Sequence, residues 1–132
     1  MHRAIKSCMD QTFNDIKIIV VNDGSDIDYQ EEIDSWDANI KLINQDNQGV
    51  AIARNNGILS SSSEYNYSKY VCCLDADDWI EPTFLETCVN ALEQDRTLHI
   101  AYTGLMQHRP NGDTFPSPWP STCDRDWETY FE

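Results

Sequence analysis

Residues 16–22, Ile-Lys-Ile-Ile-Val-Val-Asn, form a β-branched run that is apolar almost throughout, the pattern of a strand covered on both faces. A central parallel strand is predicted there. Ahead of it, Ala4, Ile5, Cys8 and Met9 recur at helical spacing, and Gln11-Thr12-Phe13-Asn14 supplies a polar break. A short amphipathic helix therefore opens the chain. The alternation continues with a helical stretch over Tyr29–Trp36, a strand over Lys41–Ile43, a helix from Val50 to Leu59 and a strand over Tyr70–Leu74. Strands alternating with helices predict βαβ units and a mostly parallel sheet. A further helix is expected from Pro82 to Gln94, because proline suits the first helical turn and Phe84, Leu85, Cys88, Val89 and Leu92 fall on one face. His99–Met106 reads as a last strand, followed by a turn at Pro110-Asn111-Gly112.

Two regions lack this periodicity. Ser60–Ser68 is polar and reads as a surface loop. Beyond Asp113 the chain is rich in proline and aromatics (Pro116, Pro118, Trp119, Pro120, Trp127, Tyr130, Phe131) that need a surface to pack on.

The 132 residues, 40% of them hydrophobic, amount to one domain. Nine Lys and Arg against 23 Asp and Glu give a formal charge of -14, which disfavours nucleic acid and anionic membrane surfaces as partners. No apolar run reaches the roughly 18 to 20 residues of a membrane span, and no signal-peptide pattern opens the chain. A soluble, cytoplasmic chain is expected. Cys8, Cys72, Cys73, Cys88 and Cys123 show no zinc-type spacing and read as mostly buried thiols in a reducing compartment.

Ligands of open α/β sheets bind at the carboxyl ends of the strands. Two predicted strands end in acidic clusters there, Asn22-Asp23-Gly24-Ser25-Asp26 and Asp75-Ala76-Asp77-Asp78. Carboxylates gathered at one edge repel unless a cation or a donor-rich ligand lies among them. Mg²⁺ or Mn²⁺ fits, held by one or two carboxylates and completed by substrate phosphates. Asp75 and Asp77, two residues apart, would divide the work between a hydroxylated ligand group and the metal. Asp75–Asp78 would also serve as an Asx-rich turn capping the next helix, and Asp23-Gly24-Ser25 as a simple turn. The presence of two such strand ends favours the ligand reading, with Asp23 accepting from a base ring N–H. Arg54, after Asn47-Gln48-Gly49, either pairs with surface carboxylates or supplies the anion-binding cation that an otherwise acidic phosphate site would need.

Four segments together resemble a known family: Ser7-x-x-x-Gln11-Thr12-Phe13, Ile18 to Ser25, Asn47-x-Gly49-x-x-x-Ala53-Arg54-Asn55-x-Gly57-Ile58, and Leu74-Asp75-Ala76-Asp77-Asp78-Trp79. In order and register they are similar to glycosyltransferase family 2, over about residues 3–108. The resemblance implies a Rossmann-like, mostly parallel sheet of the GT-A type and hexosyl transfer from a nucleotide sugar, commonly a UDP-sugar, with inversion. It implies that Asp23, with Gly24 and Ser25, meets the base, that Arg54 lines the nucleotide site, that Asp75 lies near the ribose and that Asp77 of the D-x-D motif binds Mn²⁺ or Mg²⁺.

Two departures from the family pattern shape the expectation. The family's first strand, ending near Pro-x-Tyr-Asn, would precede Met1, and the connection from Arg54 to Tyr70 is several residues longer than usual. The acceptor half, which supplies the general base in this family, would follow residue 132. Asp124, Asp126, Glu128 and Glu132 sit in no pattern that assigns that base. The expectation is thus a nucleotide-sugar-binding α/β domain over 1–108 and the start of an acceptor-side segment over 109–132. Such a donor half would lack transfer activity alone and would self-associate through exposed sheet edges. A catalytically inactive nucleotide-binding or partner-docking module is the alternative. A receiver-like Mg²⁺ domain would need a lysine after a late strand, and none follows His99–Met106.

Overall fold

A computed structural model describes residues 1–36, 40–62 and 68–116. The fold is α/β. Its elements are α1 (His2–Met9), β1 (Ile18–Asp23), α2 (Gln30–Asp34), β2 (Ile40–Gln45), α3 (Val50–Ser62), α4 (Phe84–Gln94), β3 (Met106–His108) and β4 (Thr114–Pro116). Backbone contacts divide the chain into two compact units, residues 1–86 and 87–132, the division falling within α4.

In the first unit β1 and β2 pair in parallel, from Ile18 opposite Ile40 to Asp23 opposite Gln45. The α2 connection makes this a βαβ unit, as the alternating pattern predicts. Helix α3 packs on β1 through small residues. Ala53, Asn56, Gly57, Ser60 and Ser61 recur at helical spacing and are at least half-covered, and a Cβ on Gly57 would come within 3.3 Å of Val21. The large apolar side chains of α3 point away from that stripe, with Val50 61% and Leu59 66% exposed. Ala4 and Ile5 of α1 and Ile33 of α2 are the buried apolar residues among those described in this unit. Fully burying one isoleucine is worth about 1.5–3 kcal/mol. His2 packs against Trp36 with ring centroids 4.6 Å apart and the planes tilted by 45°.

The second unit carries the end of α4 with buried Leu92, an irregular stretch, and the antiparallel hairpin of β3 and β4. The hairpin turn falls at the expected Pro110-Asn111-Gly112. The Arg109 N–H donates to the Asp113 carbonyl (2.9 Å) and the Gly112 N–H to the Arg109 carbonyl (2.9 Å). Gly112 has φ +90°, which favours glycine. No described helix is long and apolar enough to cross a membrane.

Several expectations are corrected. Tyr70–Leu74 is not a strand: it joins no ladder among the described residues, and Val71, Cys72 and Cys73 are exposed. His99–Met106 is irregular up to Met106, the first residue of a three-residue strand, and Ile100 is 79% exposed. An apolar run becomes a strand only where a partner supplies the hydrogen bonds. β1 is not covered on both faces either. All six of its residues are partly exposed, and it pairs only with β2 among the described residues.

Helix α4 begins two residues after Pro82, whose carbonyl instead accepts the Thr12 N–H at 2.8 Å. Ser60–Ser62 continue α3, the Ser61 hydroxyl donating to the Ile58 carbonyl at 2.6 Å. Of the cysteines, Cys8 and Cys88 are half-buried and Cys72 and Cys73 exposed. Burial pushes the Cys8 and Cys88 thiols above their ordinary pKa. Cys123, the aromatic tail from Pro118 onward and the carboxylates of Asp124, Asp126, Glu128 and Glu132 lie outside the described residues.

Candidate functional site

The polar residues that end β1 and β2 are joined side to side, because parallel pairing brings both carboxyl ends to one edge. The Asn22 amide donates to Asn44 Oδ1 (3.0 Å), and Asn22 Oδ1 accepts the Ser25 N–H (3.0 Å). One residue on, Asp23 Oδ1 accepts the Gln45 amide (2.8 Å) and the Gln48 N–H (2.8 Å), while Oδ2 accepts the Gly49 N–H (2.9 Å). Gln45 in turn accepts from the Asn56 amide at 2.7 Å, which ties the cluster to α3.

Asp23 thus faces the amino end of α3, whose preceding residue, Gly49, accepts the Ala53 N–H. An anion suits the positive end of a helix. The Gln48 N–H above all, with the Gln45 side chain and the Gly49 N–H, holds the Asp23 carboxyl below the usual carboxylate range, against a smaller desolvation effect.

Gly24 turns the chain away from β1 with φ +78°. A Cβ there would lie 2.7 Å from the Asn47 nitrogen, so only glycine lets the loop after β2 come this close. Gly24, Ser25 and Asp26 with Asn44, Gln45 and Asp46 line an open depression of about 680 Å³ at the strand ends.

Arg54 lies one and a half turns along α3, about 7–8 Å from Gly49 at 1.5 Å per residue. Its guanidinium donates to Asp75 Oδ1 at 2.6 Å. This exposed pair raises the arginine pKa further, mainly through the hydrogen bond to Asp75. Asp75 opens a turn closed by the Asp78 N–H on its carbonyl (3.1 Å). Asp77 within that turn is exposed, and its carboxylate has no hydrogen-bond or ion-pair partner among the described residues.

The structure therefore brings Asp23, Gly24 and Ser25 together at one strand end and Arg54 onto Asp75, with α3 common to both groups. Gln45, Gln48 and Asn56, which organise Asp23, carry no sequence signal of their own beyond the Asn47-x-Gly49 segment. No group of three or more potential metal ligands occurs among the described residues. What remains among the described residues of this turn is two free hard-oxygen donors, Asp77 and Asp78, beside the arginine-paired Asp75. That arrangement fits a cation whose other ligands are phosphate oxygens and water.

Residues 1–127 match the sequence profile of Glycosyl transferase family 2. The chain belongs to that family. Among curated relatives of this family-2 chain, EpsH of Bacillus subtilis is 36% identical over 99 residues, covering 73% of the chain and 27% of the relative. Chondroitin synthase of Pasteurella multocida is 30% identical over 125 residues, covering 91% and 12%. Glycosyltransferase GlyA of Streptococcus pneumoniae is 38% identical over 90 residues, covering 66% and 12%. The family-2 chain thus spans about a quarter or less of the length of these relatives.

Proposed function

We propose that this chain forms the donor side of a glycosyltransferase that moves a hexosyl group from a nucleotide sugar, first among them a UDP-sugar, to a hydroxyl acceptor with inversion. Family membership supports glycosyl transfer. The observation that carries the donor reading is the Arg54–Asp75 pair at 2.6 Å, heading the turn that exposes Asp77. It supports reading Arg54 as the cation for the diphosphate and Asp77, two residues on from Asp75, as the carboxylate for a metal.

In this reading the base enters the open depression beside Gly24 and Ser25. Asp23 Oδ2 accepts only the Gly49 N–H among the described residues and keeps a lone pair for a ring N–H. Asp75 offers its second oxygen to a ribose hydroxyl, and Arg54 turns its remaining N–H groups toward the diphosphate. Asp77 is the residue that would hold Mn²⁺ or Mg²⁺. Such a cation, when bound, offsets the charge that grows on the leaving nucleoside diphosphate. The general base is assigned to no described residue.

Calorimetry of UDP binding with Mn²⁺, with Mg²⁺ and with EDTA tests the proposal. Tighter binding with either metal is expected, since an acidic site accepts a diphosphate only across a cation. Equal affinity in EDTA would overturn the donor reading.

A further inference from the structure

The acidic turn Asp75–Asp78 is approached by a segment, 70–74, that joins no ladder among the described residues. At its start the exposed Arg54–Asp75 pair ties the turn to α3, and an exposed ion pair by itself holds position weakly. Its downstream side is fastened differently. We propose that Gln11, supported by Ser7, is a positioning residue for this turn: it clamps residues 80–85 to α1 and so fixes the reach of Asp77.

Gln11 is only 6% exposed, yet both of its amide N–H groups and its oxygen are engaged. Nε2 donates to the Ser7 carbonyl (2.9 Å) and the Glu81 carbonyl (2.8 Å), and Oε1 accepts the Leu85 N–H (3.0 Å). That last bond satisfies a free donor in the first turn of α4, a capping contact made from 74 residues away. The Ser7 hydroxyl donates to the Ala4 carbonyl (2.8 Å) and accepts the Ile80 N–H (3.2 Å). Thr12 adds its N–H to the Pro82 carbonyl (2.8 Å) and its hydroxyl to Glu86 (2.7 Å). Arg3 stacks over Trp79.

Ser7, Gln11 and Thr12 thus bond the backbone of Ile80, Glu81, Pro82 and Leu85. The site needs an amide, because two donors face two carbonyls while one acceptor faces an N–H. A glutamate would set a carboxylate oxygen against carbonyl oxygens. Neither Ser7 nor Gln11 has a place in the donor site itself, although they head the first motif of the chain.

The effect on donor binding rests on the function proposed above, whereas the clamp is testable without it. In the full-length protein, Gln11→Met keeps the length of the side chain and removes its polar atoms. Amide hydrogen exchange at Asp78 and Ile80 should then quicken by about tenfold to a hundredfold, as expected for the loss of a buried hydrogen-bond set. The Gln48 and Gly49 amides, bound by Asp23, should keep their wild-type rates.

Metal-dependent UDP affinity should fall about tenfold with binding in EDTA unchanged, and Gln11→Glu should not restore it. Unchanged exchange at Asp78, or an equal rise at Gln48 and Gly49, would overturn the clamp and leave Gln11 a general stabiliser. Ser7→Ala carries the same exchange test with a smaller expected effect should Gln11→Met not fold. A wild-type protein that binds no UDP with any metal would sink the donor reading, while the exchange rates still decide the clamp.

Discussion

Two aspartates follow predicted strands in this chain, and the structure treats them in opposite ways. Asp23 ends a real strand, meets the amino end of α3 and accepts three hydrogen bonds. Asp77 sits in an exposed turn after a segment that never becomes a strand, with its carboxylate free among the described residues. A carboxylate at a strand end is thus not one kind of object. Where backbone N–H groups converge on it, most of its acceptor capacity goes to building the loop; where none do, that capacity is left for a ligand.

The largest expected effect separates the two residues by ligand binding. Asp77→Ala should cost at least about a hundredfold in metal-dependent UDP affinity, since losing even a supporting partner of a metal ligand costs up to that much. Its thermal midpoint should stay at the wild-type value, as an exposed turn residue contributes little packing. A variant that instead unfolds would return Asp77 to a capping role and erase the contrast.

Next comes the backbone on which Asp23 depends. Gly24→Ala places a Cβ 2.7 Å from the Asn47 nitrogen at φ +78°, and strain of this kind costs about 1–3 kcal/mol. Denaturant titration should show that loss, with the depression at the strand ends distorted. A neutral Gly24→Ala would mean that the loop after β2 is free to move, which would weaken the picture of a preformed Asp23 site.

A smaller effect is expected in the pH dependence of stability. Asp23 has a folded pKa below its ordinary value of 3.8. Its contribution is therefore complete above the unfolded pKa, near 4, and disappears as pH falls through the depressed folded value. Asp23→Asn should flatten the acid limb of the stability curve below about pH 4, because the amide N–H₂ cannot accept from the Gln48 or Gly49 N–H. Equal acid limbs in the two proteins would show that ionisation of Asp23 is not linked to folding.

The smallest expected change is in the stability of Arg54→Ala. The pair with Asp75 is about half exposed on both sides, so the thermal midpoint should not move measurably. Nucleotide affinity should still fall, which would distinguish an arginine kept for an anion from one kept for folding.

What was legible in the sequence follows from which bonds are local. Helices satisfy their own backbone groups, so α1, α2, α3 and α4 were readable from periodicity to within a few residues. β1 and β2 were readable because a helix returns the chain between them. Tyr70–Leu74 and His99–Met106 have equally apolar sequences, but a strand needs a partner that no local pattern supplies. The candidate residues themselves stood out by type and spacing. Their attachments did not: Asp23 reaches Gln48 and Gly49 across 25 and 26 residues, and Gln11 reaches Glu81 across 70.

The thin interior has a thermodynamic consequence. Among the described residues only Ala4, Ile5, Ile33 and Leu92 are buried apolar side chains, and they are spread over three helices rather than gathered in one core. Unfolding these residues therefore hydrates little new hydrocarbon. The heat-capacity change per residue should fall below the usual value of about 12–15 cal/mol/K. With so small an increment the stability curve is shallow against temperature, and these residues should lose their structure over a broad range of degrees on warming, as they should also resist cold.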